Sequence, residues 1–368
     1  MSPAEAPAAL PPRARILVIA LRRLGDVLFA TALTASLRRA FADAVIEVLV
    51  FEGTQGILAG NPDIDRIITV PQRGTGWRSL ALALRLAGRY HLAVSTQSGD
   101  RPTLFALLAG RRHAGPVDPG RKGALRRRML WRSIELKPGT HRLEDMMRLA
   151  DVLGVARAGQ LVCPGGVAAS GADGTTSGAE NGAYAVIHAA PMFRYKQWHA
   201  EGWRTVASWL AGRGLRVVAT GGPDPRERAV LDDVFAPLPA VVRRDGQLSW
   251  PQLANLIARA RVFVGPDTSV THLAAATGCP TVALFGPTDP RVWGPVPTGG
   301  LDPMWAAAGT VQRRGNVWLV QHPLPCLPCQ QEGCDRHLQS ASRCLDGLSP
   351  ARVVAAAQAA LASTGGLP

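Results

Sequence analysis

Residues 261–290 read RVFVGPDTSVTHLAAATGCPTVALFGPTDP, and the order of residue types there leaves few folds open. A β-branched run stops at Gly265-Pro266. Asp267, Thr268 and Ser269 then offer helix-capping side chains, an Ala-rich helix follows, and Gly278 ends it ahead of a second apolar run. The pattern predicts a strand, a turn, a helix and a second strand. Such a turn places backbone N–H groups without intrahelical partners at the positive end of a helix dipole, where α/β proteins hold phosphate.

The rest of the chain repeats this alternation. Apolar runs at 16–20, 45–51 and 92–95 are interleaved with helical spacing, one helix reaching about Arg39 and another lying near Leu80. Residues 163–183, CPGGVAASGADGTTSGAENGA, are poor in large apolar groups and read as a linker. A second series follows, with strands at 184–188, 215–219 and 241–242 and helices through Trp203 and Leu210, near Val230 and over 253–258. The expected architecture is therefore two Rossmann-like α/β domains, 1–162 and 184–349, with a helix and tail over 350–368. A length of 368 residues suits two domains of about 150 residues each.

Hydrophobic residues make up 47% of the chain and charged residues 18%, so most of it can fold into a globular core. The formal charge of +14 comes from 41 basic and 27 acidic residues, and the first 180 residues hold 24 and 15 of these, or +9. A basic face of this kind predicts a polyanionic partner: nucleic acid, anionic lipid headgroups, or a phosphorylated or carboxylated glycan. Eight Phe and three Tyr are few for base stacking and weigh against nucleic acid. No stretch approaches the about 20 apolar residues of a membrane span, and residues 1–12 lack a secretory leader. A cytoplasmic protein with six reduced cysteines is expected.

Three residues near predicted strand ends carry chemistry. Gly25 gives the backbone room after the first strand, and Asp26 opens a helix whose Leu28, Thr31, Ala32 and Ala35 face inward. Asp26 is either a helix cap, worth about 1 kcal/mol, or a carboxylate at the sheet edge where open α/β sheets bind ligands. Lys196, one of only three lysines, lies between a strand and a helix. It is either a surface lysine or a compact charge for a diphosphate. His272, one turn into the Ala-rich helix, reads as a core or capping partner or as a donor-side residue.

The chain resembles glycosyltransferase family 9, the ADP-heptose:lipopolysaccharide heptosyltransferases and their relatives. The likeness rests on LGDVL after the first strand, KQW after the strand opening the second half, GPDTSVTHLAAA, and FGPTDP followed by WGP, and it runs from about Arg15 to Pro350. It implies a GT-B fold, an acceptor domain and a nucleotide-sugar domain facing across a cleft, with inverting, metal-independent transfer and no cofactor. It also implies an enzyme peripheral on the cytoplasmic side of the inner membrane, with an anionic glycolipid acceptor, contact with an anionic membrane surface and no nucleic acid. The family's base falls on Asp26 and its phosphate-binding lysine on Lys196. Its D-T-x-x-x-H segment falls on Asp267, Thr268 and His272, which places Asp267 near the donor sugar and the Thr268 and Ser269 amides on the diphosphate. Glu227 corresponds to an acidic residue at the donor ribose. The chain departs from the family at Ala189-Ala190-Pro191-Met192, where a small polar loop is usual, and at His199, where a proline is common.

Sugar transfer needs a base for the acceptor hydroxyl and positive charge for the leaving diphosphate. Asp26 fits the first role, and Lys196 with the helix N-terminus fits the second. No Asp-x-Asp pair of the sort used to hold a metal beside a diphosphate is read in this sequence.

Residues 111–132 hold eight Lys or Arg and one acid. They read as a solvated loop, or as a surface for anionic core sugars or lipid, with Arg126 and Arg127 as acceptor contacts beside Arg22, Arg23 and Arg101. Cys326, Cys329, Cys334 and Cys344 follow a C-x2-C-x4-C-x9-C pattern. A structural zinc or iron, packing thiols and a labile disulfide compete there. Some protein-modifying relatives carry an iron finger near this end. Cys163 and Cys279 read as structural. Two other functions remain open: another nucleotide-sugar enzyme of GT-B shape, such as an epimerase, and a non-catalytic anion binder.

Overall fold

The computed structural model describes residues 10–73, 76–167 and 182–363. Most of the expected linker, 168–181, and the tail beyond 363 lie outside the described residues. The chain divides into two compact units, Met1–Gly166 and Val167–Pro368.

The first unit runs β1 (Arg15–Ala20), α1 (Leu24–Ala40), β2 (Val45–Phe51), β3 (Arg66–Val70), α2 (Gly76–Leu86), β4 (Tyr90–Ser95), α3 (Asp100–Ala109), β5 (Gly110–Val117), α4 (Arg121–Met129), β6 (Arg132–Glu135) and α5 (Arg142–Val152). All six strands are parallel, in the order β3-β2-β1-β4-β5-β6. The chain winds outward from β1 in one direction and from β4 in the other. The point of reversal lies at the carboxyl ends of β1 and β4, where doubly wound sheets bind ligands. α1 is buried along most of its length because it packs on the sheet and against α5.

Residues 111–132, for which a solvated loop is one of two readings, form β5, α4 and the start of β6. The burial of β5 rises only towards Val117, so the strand shows no continuous apolar run. Cys163 to Gly166, expected as linker, pack on the first unit: Cys163 is buried, and the Gly165 N–H donates to Ala59 O at 2.7 Å.

The second unit runs β7 (Tyr184–Ile187), α6 (Ala200–Gly212), β8 (Arg216–Ala219), α7 (Pro225–Phe235), β9 (Val242–Arg243), α8 (Trp250–Ala258), β10 (Val262–Pro266), α9 (Ser269–Ala276), β11 (Thr281–Leu284), α10 (Pro290–Trp293), β12 (Val311–Arg314), β13 (Val317–Val320), α11 (Arg343–Asp346) and α12 (Pro350–Ala362). Its sheet order is β12-β13-β11-β10-β7-β8-β9, parallel except for the edge strand β12. Strands β9-β8-β7-β10-β11-β13 repeat the arrangement of the first unit, so the second point of reversal falls between β7 and β10. The C-terminal helix α12 completes this unit's core: Val353, Ala357 and Ala360 are fully buried with Trp203, Leu284 and Val320. Both units are thus Rossmann-like, as the alternation of runs predicts. No helix among the described residues is long and apolar enough to cross a membrane.

Candidate active site

In the first unit, β1 ends at Ala20, and Leu21, Arg22 and Arg23 lead straight into α1. Gln97, just past β4, donates from Nε2 to Leu21 O at 2.6 Å and pins this turn across the point of reversal. Arg23 occupies the N-cap position without a side-chain capping bond, so Asp26 is not the cap. It lies in the first turn with its side chain 12% exposed and Arg22 Nη1 3.9 Å from Oδ1. Burial raises its proton affinity above the ordinary 3.8, and the Arg22, Arg142 and Arg23 guanidiniums only partly oppose this. A carboxylate in that state is a better proton acceptor than a solvated one. Arg142, at the start of α5, is a neighbour that no sequence motif singled out; its position follows from α5 packing on α1.

The other expected acceptor contacts are engaged within the protein. Arg101 donates to Pro71 O at 2.7 Å, Gln72 O at 3.2 Å and Ser79 Oγ at 2.9 Å, tying the β3–α2 connection to α3. Arg126 bridges Asp118 at 2.9 Å and Asp100 at 2.5 Å, and Arg127 pairs with Glu135. The sequence does contain one Asp-x-Asp, Asp63-Ile64-Asp65, and its second carboxylate is engaged within the first unit. Asp65 Oδ2 accepts from Arg38 at 2.6 Å and from the Ile46 N–H at 2.7 Å.

In the second unit, a short 3₁₀ turn, Arg194–Lys196, follows β7. Trp198 anchors it: its ring is 4% exposed, packs edge-on against Trp203 and donates from Nε1 to Leu348 O at 2.9 Å. Ser342 Oγ donates to Tyr195 O at 2.7 Å and fixes the turn from the other side. His199 caps α6 by accepting the Gly202 N–H on Nδ1 at 2.9 Å. Lys196 Nζ thereby reaches Asp267 Oδ2 at 2.6 Å across the β7/β10 point of reversal.

Asp267 is 5% exposed and follows β10 directly. Burial alone would raise its pKa, but the Lys196 ammonium, His272 and hydrogen bonds from Lys196 and Thr288 outweigh burial and hold it below the ordinary carboxylate range. His272 Nε2 lies 3.8 Å from Asp267 Oδ1, and burial lowers the imidazole to about 4, so it is neutral at pH 7. Thr268 caps α9, its Oγ1 accepting the Thr271 N–H at 3.4 Å, which leaves the first-turn amides beside Lys196 and Asp267 at the helix's positive end. The turn needs a glycine at 265, where a Cβ would come within 2.7 Å of the Phe263 ring and 2.9 Å of Thr271 Oγ1. Glu227, in the first turn of α7 after β8, accepts the Gly222 N–H at 2.6 Å; burial is the main cause of its raised pKa.

Lys196, Asp267, Thr268, Ser269 and His272 are therefore gathered at one ligand edge, and Glu227 follows the neighbouring strand. The metal site that is one of three readings of the four cysteines is not assembled among the described residues. Among the described residues, no three of His, Cys, Asp and Glu are grouped to hold an ion. Cys326 and Cys334 are exposed, whereas Cys344 is buried, and desolvation, with smaller contributions from the neighbouring Cys329, Cys334 and Cys326, pushes its thiol up to about 12. Cys163 is likewise pushed up to about 12 by burial.

The family model for glycosyltransferase family 9 (heptosyltransferase) matches residues 103–300, more than half of the chain. The chain belongs to glycosyltransferase family 9. It is accordingly an enzyme of the glycosyltransferase class. Lipopolysaccharide heptosyltransferase 3 of Escherichia coli is 28% identical over 288 residues, 75% of this chain and 84% of that protein. Lipopolysaccharide heptosyltransferase 1 of Pseudomonas aeruginosa is 28% identical over 373 aligned positions, 94% of this chain and 98% of its own. Among solved structures, that of the E. coli ADP-heptose lps heptosyltransferase II superposes with a TM-score of 0.71 at 19% identity, over 96% of this chain and all of the other. That likeness shows the fold, which is GT-B.

Proposed function

We propose that this family 9 enzyme transfers a heptose from ADP-heptose to an anionic lipopolysaccharide core acceptor at the cytoplasmic face of the inner membrane. Transfer inverts the anomeric centre and uses no metal ion. Asp26 takes the proton of the acceptor hydroxyl as its oxygen attacks the anomeric carbon. The bond from that carbon to the diphosphate breaks on the opposite face, and the electron pair leaves with the diphosphate. Lys196 directs one N–H to Asp267 and has two more for the phosphates, and the Thr268 and Ser269 amides add the α9 dipole. Asp267 orients Lys196 beside the donor sugar, neutral His272 supports Asp267, and Glu227 takes the ribose hydroxyls. Arg22 and Arg23 draw the acceptor's carboxylates or phosphates towards Asp26.

The observation that carries this reading is the place of Asp26, a carboxylate 12% exposed in the first turn of the helix after β1 with Arg22 3.9 Å away, in a chain whose family names the reaction class. The donor in the name of the E. coli structure and the acceptor in the names of both relatives support the choice of substrates. A donor panel tests it. ADP-heptose should raise the melting temperature more than UDP- or GDP-sugars do, and should release ADP only when a truncated core acceptor is present. Equal response to every donor, or donor turnover without acceptor, would refute the proposal.

A further inference from the structure

Helix α2 is apolar on two faces. Its inner face buries Ala83 and Leu86 in the first unit's core. Its outer face presents Trp77 at 67%, Leu80 at 56% and Leu84 at 64% exposure, spaced i, i+3 and i+7 so that they form one stripe. A helix on a soluble unit ordinarily turns polar residues outward, and a contiguous apolar stripe marks an interaction site.

The surroundings of the stripe identify its partner. Residues 66–90 contain five arginines and no Asp or Glu. On α2 and just beyond it, Arg78, Arg85 and Arg89 fall on one flank of the stripe, all exposed, and among the described residues no carboxylate pairs with them. Beyond that flank lies a cavity of about 270 Å³ edged by Arg15, Arg66, Arg85 and Arg89. Four guanidiniums there meet a single buried carboxylate, Glu47, which is 2.8 Å from Arg15 and 3.7 Å from Arg66. The surplus positive charge calls for an anion of phosphate type, since guanidinium binds phosphate through paired N–H donors. A Trp-Leu stripe beside an arginine flank is the make-up of a helix lying in the headgroup plane of an anionic bilayer. Helix α4 also exposes Leu125 and Met129, but its Arg126 and Arg127 are held by Asp100, Asp118 and Glu135.

We propose that α2 docks the enzyme on anionic membranes: Trp77, Leu80 and Leu84 enter the boundary between headgroups and acyl chains, and the arginine-edged cavity takes a phospholipid phosphate. The purpose of this docking rests on the reading that the acceptor is a membrane glycolipid; its physics does not.

Flotation of the full chain with phosphatidylglycerol/phosphatidylethanolamine vesicles tests it, with phosphatidylcholine vesicles as the comparison. The wild type should float with the anionic vesicles only. Trp77→Ser/Leu80→Ser/Leu84→Ser and, separately, Arg85→Gln/Arg89→Gln should each reduce the bound fraction at least about tenfold. Both variants should keep the wild-type melting temperature, and transfer to a lipid-free core oligosaccharide should stay within about twofold, because all five residues are exposed and lie outside the proposed catalytic groups. Unchanged flotation of either variant would overturn the proposal, as would loss confined to Leu125→Ser/Met129→Ser. So would a wild type that stays off vesicles but sediments as a dimer that the triple variant dissolves. A chain that docks through α2 yet transfers no heptose would uphold the docking and remove the transfer reading.

Discussion

Removing the Lys196 ammonium should destabilise the second unit strongly, and the size of the effect follows from the geometry. Lys196 Nζ and Asp267 Oδ2 are 2.6 Å apart, with side chains 19% and 6% exposed. At an effective dielectric of about 20, the attraction at that distance is roughly 6 kcal/mol before desolvation. Breaking a buried pair by deleting one partner costs about 3–5 kcal/mol, and the partial exposure of Lys196 places this pair near the lower end. Lys196→Ala should therefore lower the melting temperature of the unit by about 6–12 °C at pH 7. Seven of the nine tryptophans lie in this unit, so tryptophan fluorescence reports its unfolding. Because the folded pKa of Asp267 is depressed, the pair's stabilisation is present above the ordinary Asp pKa and lost as pH falls through the folded value. The gap between variant and wild type should therefore close in acid. Lys196→Met/Asp267→Leu, which removes both charges, should recover most of the loss. A single variant melting within about 1 °C of wild type, or a double variant as unstable as the sum of both singles, would refute the reasoning.

Since burial raises Asp26 above its ordinary value and the base must be ionised, the acid limb of kcat/KM should lie above the usual Asp range; a limb at or below pH 3.8 would contradict this. Trp198→Ala should cost about 3–5 kcal/mol by urea unfolding and raise KM for the donor more than it lowers kcat, because Trp198 anchors the turn that carries Lys196. Dialysis against a chelator should leave the melting temperature unchanged, and stoichiometric zinc or iron lost with a fall in stability would show that the cysteines close on a metal after all.

The parts of this molecule legible in its sequence are those where local pattern and tertiary role agree. The parallel cores of both units appear as β-branched runs because strands covered on both faces are apolar throughout. The β10–α9 turn is readable because capping residues and glycines are confined to narrow backbone geometries. Arg101, Arg126 and Arg127 were not readable: an arginine's sequence position near a strand end does not reveal that Pro71 O, Asp118 or Glu135 lies within reach. The strand β5 was hidden by GRRHAGPV, whose arginines project from a partly covered strand. Arg142 approaches Asp26 only through the packing of α5 on α1, contacts about a hundred residues apart in the chain. The cysteine spacing invited a metal, yet spacing says nothing about which thiol is drawn into the core, and Cys344 is.

The assignment of Asp26 as the base stands or falls on Asp26→Asn, assayed for heptose transfer from ADP-heptose to a lipid-free core acceptor with product stereochemistry read by NMR. The wild type should give the inverted anomer. The variant should melt like the wild type, keep its thermal shift with ADP-heptose, and lose at least about 100-fold in kcat/KM. A folded, donor-binding Asp26→Asn enzyme that turns over within a few-fold of wild type would contradict the assignment.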